Sequence, residues 1–454
     1  MEFLPLELFL EIAEHLEDKD KLNLLFSCKE FYYRRSLLRY HSMIKLRNVP
    51  ANLIDNFTNV FLFDLKKIPK NVRKITFFKK LNQSLVGLIP ETITHITFGY
   101  DFNKSLENSL PASLESLIFG NEYNQSLPTL PETLRHLQFG EKFNQLITEL
   151  LPSRLEVLIF SKWFNQDLNH QLPESLLHLE FGTEFNRKID YLPPKLIYLK
   201  FGWTFNQSLT LPLSLKHLVL GNHFKQTLNL TNHKYLQYLQ LVNVASITRI
   251  QFPQSITHIT FNWFTSGNLA SLLPKTTTHL EIANYYPEHL TIPSSVTHLI
   301  MGNCERLKSC DLGCITNLIF KDDFNMELPC LLPASLTHLK FGRSFNQSIE
   351  GMFPASLTHL IFGNHFNQSL GDGVRRVTFL PPFLTHLEFG NEFNQRLGIS
   401  ELTFSFLPAT LRYLKLGRSF TKSLEWVPDD IENIELHKRY KLDTSAYSEI
   451  IKFY

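Results

Sequence analysis

Histidine is the residue type whose spacing in this chain could do chemistry. Ten of the 18 histidines, His95, His136, His178, His217, His258, His279, His298, His338, His359 and His386, recur mostly at intervals of roughly 20 or 40 residues. Imidazoles repeated one strand apart could form a proton-sensitive file, because neighbouring rings resist joint protonation, or could offer nitrogen ligands to a metal. The plainer reading is that flat rings stack well on one another. It is favoured, since a metal site needs three or four convergent ligands with a supporting shell. A second cluster, Cys304, Cys310, Cys314 and Cys330, lacks the paired Cys-x-x-Cys spacing of zinc sites and reads as ordinary small buried residues. No Gly-rich phosphate loop, nucleophile elbow or paired His-Glu metal motif is present. The expectation is a chain without catalytic residues, metal or cofactor, and so not an enzyme.

What must position the histidines is a repeat. The phrase Leu110-Pro111-Ala-Ser-Leu114-Glu-Ser-Leu117-Ile-Phe119-Gly120-Asn-Glu-Tyr123-Asn124-Gln-Ser-Leu127 returns almost unchanged from Leu332 to Ile349. With the proline as position zero, anchors fall at 69, 90, 111, 131, 152, 173, 193, 212, 233, 253, 274, 293, 312, 333, 354, 381, 408 and 428, with His233 and Leu312 replacing proline. Apolar residues stand at plus 3, plus 6 and plus 8, an aromatic at plus 12 in most rungs from Phe102 to Phe420, and Asn at plus 13 in 11 rungs. Alternation from plus 5 to plus 8 predicts one short strand per rung, with plus 6 and plus 8 inward and plus 5 and plus 7 outward. A unit near 20 residues that cannot bury its apolar side alone must stack, which predicts a leucine-rich-repeat-like solenoid with a parallel sheet, on the order of 90 Å long at about 4.8 Å per rung. Gly at plus 9 in 11 rungs suits a backbone turning out of the strand. The plus 12 aromatics would form a second internal spine, and the Asn amides a ladder serving turn backbone groups. The histidines occupy plus 5, on the concave sheet. Rungs 354 and 381 run 27 residues each, which inserts 371–379 and 398–406 at equivalent places.

Composition limits the function classes. Lys+Arg 45 against Asp+Glu 43 leaves a formal charge of +2, no footprint for gripping a phosphate backbone, so nucleic acid is not an expected partner. No run approaches the roughly 18 to 20 apolar residues that cross a bilayer, and the start, Met1-Glu2-Phe3-Leu4-Pro5, lacks the basic and apolar regions of a secretory signal. The expected location is the cytoplasm, with no membrane association, and the five cysteines fit reduced thiols. Asn-Gln-Ser at Asn82, Asn124, Asn206, Asn346 and Asn367 matches the glycosylation pattern but belongs to the repeat.

The first forty-odd residues differ. Leu4, Leu8, Ile12 and Leu16 recur at four-residue steps as one helical stripe, Glu17-Asp18-Lys19-Asp20 is a polar turn, Lys21 to Phe26 forms a second helix, and Ser27 onward begins a third. Three such helices cannot bury all this apolar surface by themselves, which implies a partner. The tail from His437 is expected to add a short helix from Thr444 that caps the last rung, or equally to serve as a partner-binding end.

Two resemblances extend these readings. The phrase Phe362-Gly363-Asn-His-Phe366-Asn367-Gln-Ser-Leu370 resembles the FNIP repeat, a leucine-rich-repeat-like unit of proteins from amoebae and giant DNA viruses, though Leu-Pro more often replaces the usual Ile-Pro. Leu4, Pro5, Glu7, Leu8, Ile12, Leu16, Leu22, Leu25, Cys28, Lys29 and Phe31 fall on a pattern similar to the F-box, with Phe31 where many members have Trp. Together they imply an α+β protein. A small helical F-box-like domain (1–47) and a junction with N-terminal cap (48–68) precede a solenoid of about 18 repeats (69–436) and a C-terminal cap (437–454). The F-box resemblance implies that Leu4, Pro5, Leu8, Ile12, Leu16, Leu25 and Phe31 contact a Skp-type adaptor and, through it, a cullin of an SCF-type ubiquitin ligase, in host cytoplasm if the source is viral. The repeats would hold an unknown protein substrate on the concave face, with His258, His279, His298, His338, His359, His386, Lys340 and Glu388 as candidate contacts. A repeat scaffold or decoy with no ligase link stays open beside this reading.

Overall fold

The computed structural model describes residues 6–27, 37–45, 55–63, 65, 68–168, 172–243, 249–263, 269–284, 288–304, 308–327, 331–399 and 403–454. The chain divides into two compact units, one ending at Phe224 and one beginning at Lys225. Each is a ladder of short parallel strands. The first unit has strands at Ile44–Lys45, Asn59–Leu62 and Lys74–Phe77, then one per rung to His217–Leu220, each paired in parallel with the next in sequence. The second runs the same way from Tyr238–Asn243 to Ile451–Phe453.

Every strand expected from an anchor begins at its plus 5 residue, from Lys74 to Asn433. Burial explains why. Leu114, Leu117 and Phe119 at plus 3, plus 6 and plus 8 are at most 3% exposed. Inward rings form two spines that interlock. Phe98 and Phe102 within one rung stack at 4.0 Å, and Phe102 meets Tyr123 of the next rung at 6.2 Å. Offset rings at these separations add to the burial they already contribute.

The reason for Gly at plus 9 is different from the one expected. None of these glycines has a left-handed φ; those that do are Gly87, Gly313 and Gly351. The backbones of successive rungs touch there instead, so a Cβ on Gly120 would stand 1.8 Å from the carbonyl oxygen of Gly99. The Asn ladder also runs between rungs. Asn144 Oδ1 accepts the backbone N–H of Asn165 at 2.9 Å and the Nε2–H of Gln166 at 3.1 Å, and the pattern repeats from Asn82 to Asn206 and from Asn325 to Asn394. The Gln at plus 14 has no role that spacing alone reveals.

The N-terminal segment departs from a separate helical domain. Helix α1 (Leu6–Glu14) and helix α2 (Asp18–Ser27) are present, α2 starting inside the stretch expected to be a turn. Phe9 and Ala13 of α1 bury against Leu38 and Tyr40, and Leu24 and Phe57 pack on the same cluster. The sheet itself begins at Ile44–Lys45, within 1–47 and well before 69. The fold is therefore a mostly-β parallel solenoid rather than α+β, because short parallel strands recur from Ile44 to Phe453 while the described helices are few and short. The expected third helix lies outside the described residues from 28 to 36. At the other end, Ser445–Tyr447 forms a single 3-10 turn, and Ile451–Phe453 pairs with Asn433–Leu436. The tail thus contributes another strand where a capping helix was expected. The two insertions fold as equivalent antiparallel hairpins, Gly371–Asp372 with Val377–Thr378 and Gly398–Ile399 with Phe404–Ser405.

Candidate interaction surface

Strand alternation puts plus 5 on the outward face of the sheet, and the structure stacks its imidazoles there. His258, His279 and His298 stand 4.1 and 4.2 Å apart, and His338, His359 and His386 are spaced at 4.1 Å. Tyr198 stacks on His178 at 4.2 Å. His95, His136 and His217 lie in the same column.

At seven of the ten positions a threonine at plus 4 orients the ring. Thr358 Oγ1 lies 3.1 Å from the carbonyl oxygen of Thr337 and 2.9 Å from His359 Nδ1. The carbonyl can only accept, so the single hydroxyl hydrogen goes to it, and Nδ1–H must then donate to the hydroxyl. This places the lone pair of a neutral His359 on Nε2. The same arrangement holds at His279, His298, His338 and His386. His178 differs, since its Nε2 meets Glu180 Oε1 at 2.8 Å; that bond, helped by Lys200 at 2.9 Å, pulls the Glu180 carboxyl down to about 2. Burial and then the charge of neighbouring imidazoles push His279 and His338 below the ordinary histidine value, and the same causes push His359 down to about 4. At His279, His338 and His359 the neutral ring held by its threonine therefore offers Nε2 as its acceptor. Between Tyr238 and Ile319 the face opens a hollow of about 290 Å³ that includes His258, His279, His298, Ile300 and Glu281.

Of the other residues singled out in the sequence, Lys340 is exposed, and Glu388 has Lys415 at 3.9 Å. On α1, Leu8 and Ile12 are 44% and 39% exposed and Leu16 is half-buried. Leu25 lies on α2, but its side chain, like Leu4, Pro5 and Phe31, lies outside the described residues. The cysteines are not uniformly buried thiols. Cys304 is buried and free, Cys314 is exposed and free, and Cys310 is disulfide-bonded, which also corrects the expectation of reduced thiols. Disulfide formation depends on the distance that folding creates and not on spacing in sequence. Cys330 lies outside the described residues. Among the described residues, no three His, Cys, Asp or Glu side chains are placed to hold a metal, and no helix is long and apolar enough to cross a membrane. Sequence reasoning missed the threonine lock, although Thr-His recurs at 94–95, 257–258, 278–279, 297–298, 337–338, 358–359 and 385–386. It also missed a cleft of about 950 Å³ between α1 and the first strands, which brings Arg39, Arg73 and Lys74 together.

The FNIP repeat model matches residues 81–122, 123–163, 164–204, 324–365, 345–374 and 366–419, so FNIP repeats occur in both units. No curated protein matches the chain. Among solved structures, CroV588, described as a novel circular LRR protein, is 29% identical with a TM-score of 0.47, over 89% of this chain and 76% of that one. YopM from Yersinia enterocolitica WA-314 is 18% identical with a TM-score of 0.39, over 84% and 80%, and YopM from Yersinia pestis is 19% identical with 0.36, over 78% and 87%.

Proposed function

We propose that this chain is a non-enzymatic interaction scaffold of the cytoplasm in which the repeat sheet holds a protein and α1 docks a Skp-type adaptor of a cullin-RING ligase. The observation that carries the docking half is the division of α1. Phe9 and Ala13 are 0% and 2% exposed, yet Leu8 and Ile12 beside them are 44% and 39% exposed. A helix at about 100° per residue places Leu8 and Ile12 together on one flank, so the fold leaves an apolar pair uncovered that its own core does not use. The F-box resemblance assigns adaptor contact to that same pair. The holding half is supported by a regular, outward-facing sheet whose plus 5 and plus 7 side chains vary over a stiff frame.

Capture of the adaptor and cullin from cytosolic extract tests it, comparing the intact chain with a Leu8→Ala, Ile12→Ala variant. Because both side chains are exposed, the variant keeps its circular dichroism and melting temperature. Adaptor affinity falls by about 2 kcal/mol, roughly 30-fold. Equal capture by both chains, or capture by neither, removes the ligase and leaves the scaffold.

A further inference from the structure

The cleft of about 950 Å³ between α1 and the first strands is a hollow that the adaptor reading leaves unused. Its wall and floor come from three places. At about 100° per residue, Leu10 and Glu14 of α1 face it, on the flank opposite Leu8 and Ile12. The segment at Arg39 closes one side, and the outward face of the strands at Lys74 and His95, which pair in register, forms the floor.

The charges there are unbalanced. Arg39, Arg73 and Lys74 are exposed, and none of them makes an ion pair among the described residues. Elsewhere on the outward face Lys200 is neutralised by Glu180 at 2.9 Å and Lys415 by Glu435 at 3.3 Å, whereas Lys340 is an isolated exposed cation with no ion pair among the described residues. Asp18 cannot perform this service for the cleft, because its carboxylate accepts the backbone N–H groups of His41 and Ser42 and lies 3.5 Å from the Lys21 ammonium. Lys21, 2% exposed, also donates to the Arg39 carbonyl oxygen at 2.8 Å, which holds the Arg39 segment against α2. Glu14 and Glu115 are the acids of the lining, so with Lys21 paired to Asp18 the other three cations face two carboxylates. His95 reports the same field, since burial and the Lys74 charge push it below the ordinary histidine value.

We infer that this cleft docks a short acidic peptide segment of a partner protein, with Arg39, Arg73 and Lys74 receiving its carboxylates. Arginine suits the task, because its planar fork binds carboxylate through two parallel hydrogen bonds. A volume of about 950 Å³ is at the upper end of ligand sites and exceeds what a single ion fills. A nucleic acid fits less well, because Glu14 and Glu115 would meet its continuous phosphates and the chain's net charge is only +2. The inference rests on the scaffold half of the proposed function and not on the ligase half, since the adaptor flank of α1 faces the other way.

Fluorescence anisotropy of a labelled hexa-aspartate peptide with the full chain tests it. Binding weakens at least tenfold in an Arg73→Glu, Lys74→Glu variant, is unchanged by Lys104→Glu at an exposed site outside the cleft, and weakens as salt screens the pairs. If the double variant does not melt like the parent, Lys74→Ala serves in its place with a smaller loss. No binding by the intact chain, equal losses in the cleft and control variants, or tighter binding of a single-stranded oligonucleotide than of the peptide overturns the inference. Adaptor capture by the intact chain separates the failures. Peptide failure with capture retained sinks the cleft alone, and loss of both sinks the cleft and the ligase while the repeat sheet as a scaffold stands.

Discussion

The rungs from Phe98 to Phe205 and those from Tyr238 to Asn303 solve the same stacking problem in two ways. In the first region the strands are three residues long, and two residues past their ends Gly99, Gly120, Gly140, Gly182 and Gly202 stand where successive backbones touch. Aromatic rings and the Asn–Gln ladder then hold the turn. In the second region the strands run six residues, through Val242, Asn262, Ala283 and Gly302 at plus 9, the last touching the Ala283 backbone as the first region's glycines do, and the ladder of backbone pairs continues to Asn243↔Trp263 and Asn284↔Asn303. Short parallel pairs, Leu228–Asn229 with Ile250–Gln251 and His289–Thr291 with Ser309–Asp311, supply extra backbone bonds. The FNIP model matches the first kind of rung and not this second stretch. The contrast separates two jobs within one repeat: the apolar phrase up to plus 8 sets where a strand begins, while plus 9 to plus 14 decides whether side chains or backbone hold the turn after it.

Gly140→Val should do the most damage. Its Cβ would stand 2.0 Å from the Gly120 carbonyl oxygen, and backbone cannot yield as a side chain does. Loss of about 3 kcal/mol or more, read as the denaturant midpoint, is expected. A cost below about 1 kcal/mol would mean that the touching backbones do not define the regular rung. Asn144→Ala comes next, at about 1 to 3 kcal/mol, because it orphans the N–H of Asn165 and takes from the Gln166 amide one of its two acceptors, the residue 144 carbonyl remaining. Asn262→Ala, in the second region, removes one long 3.4 Å contact from Gln240 and should cost well under half as much. Equal losses at the two sites would erase the distinction between side-chain and backbone turns.

A pH dependence is the mildest of these effects. His359 titrates near 4 in the fold against about 6.5 in an unfolded chain, so between those values the unfolded state holds more protons. Stability present above pH 6.5 is lost as the pH falls toward 4. His359→Asn should flatten the fall in melting temperature between pH 6.5 and 4.5, and Asn is tolerated in this column at Asn317, whose Oδ1 accepts from Thr316 at 2.9 Å. Identical slopes for parent and variant would remove the stacked imidazoles as a proton-sensitive element.

Legibility followed the range of the interaction. The plus 5 strand starts, the inward Leu and Phe columns and the outward His column are periodic in the chain, so counting finds them. Arg73 and Glu115 stand at plus 4 and Lys74 at plus 5 of their rungs, but Arg39 and Glu14 lie outside the repeat, and the cleft that gathers the five has no signature along the sequence. The four-residue stripe on α1 was visible, but the face that turned inward was Phe9 and Ala13, because Leu38, Tyr40 and Phe57 offered the better-fitting core.

Residue order is enough to establish that each rung begins a strand five residues after its anchor and that the rungs must stack in parallel. Alternation within one strand decides which side chains point inward, and a lone rung cannot bury them. Stacking in three dimensions was needed to settle why plus 9 is glycine, which hydroxyl holds each imidazole, and which flank of α1 stays uncovered. Each of these depends on an atom contributed by a neighbouring rung or helix, and that neighbour acts only once stacking has brought it within contact distance.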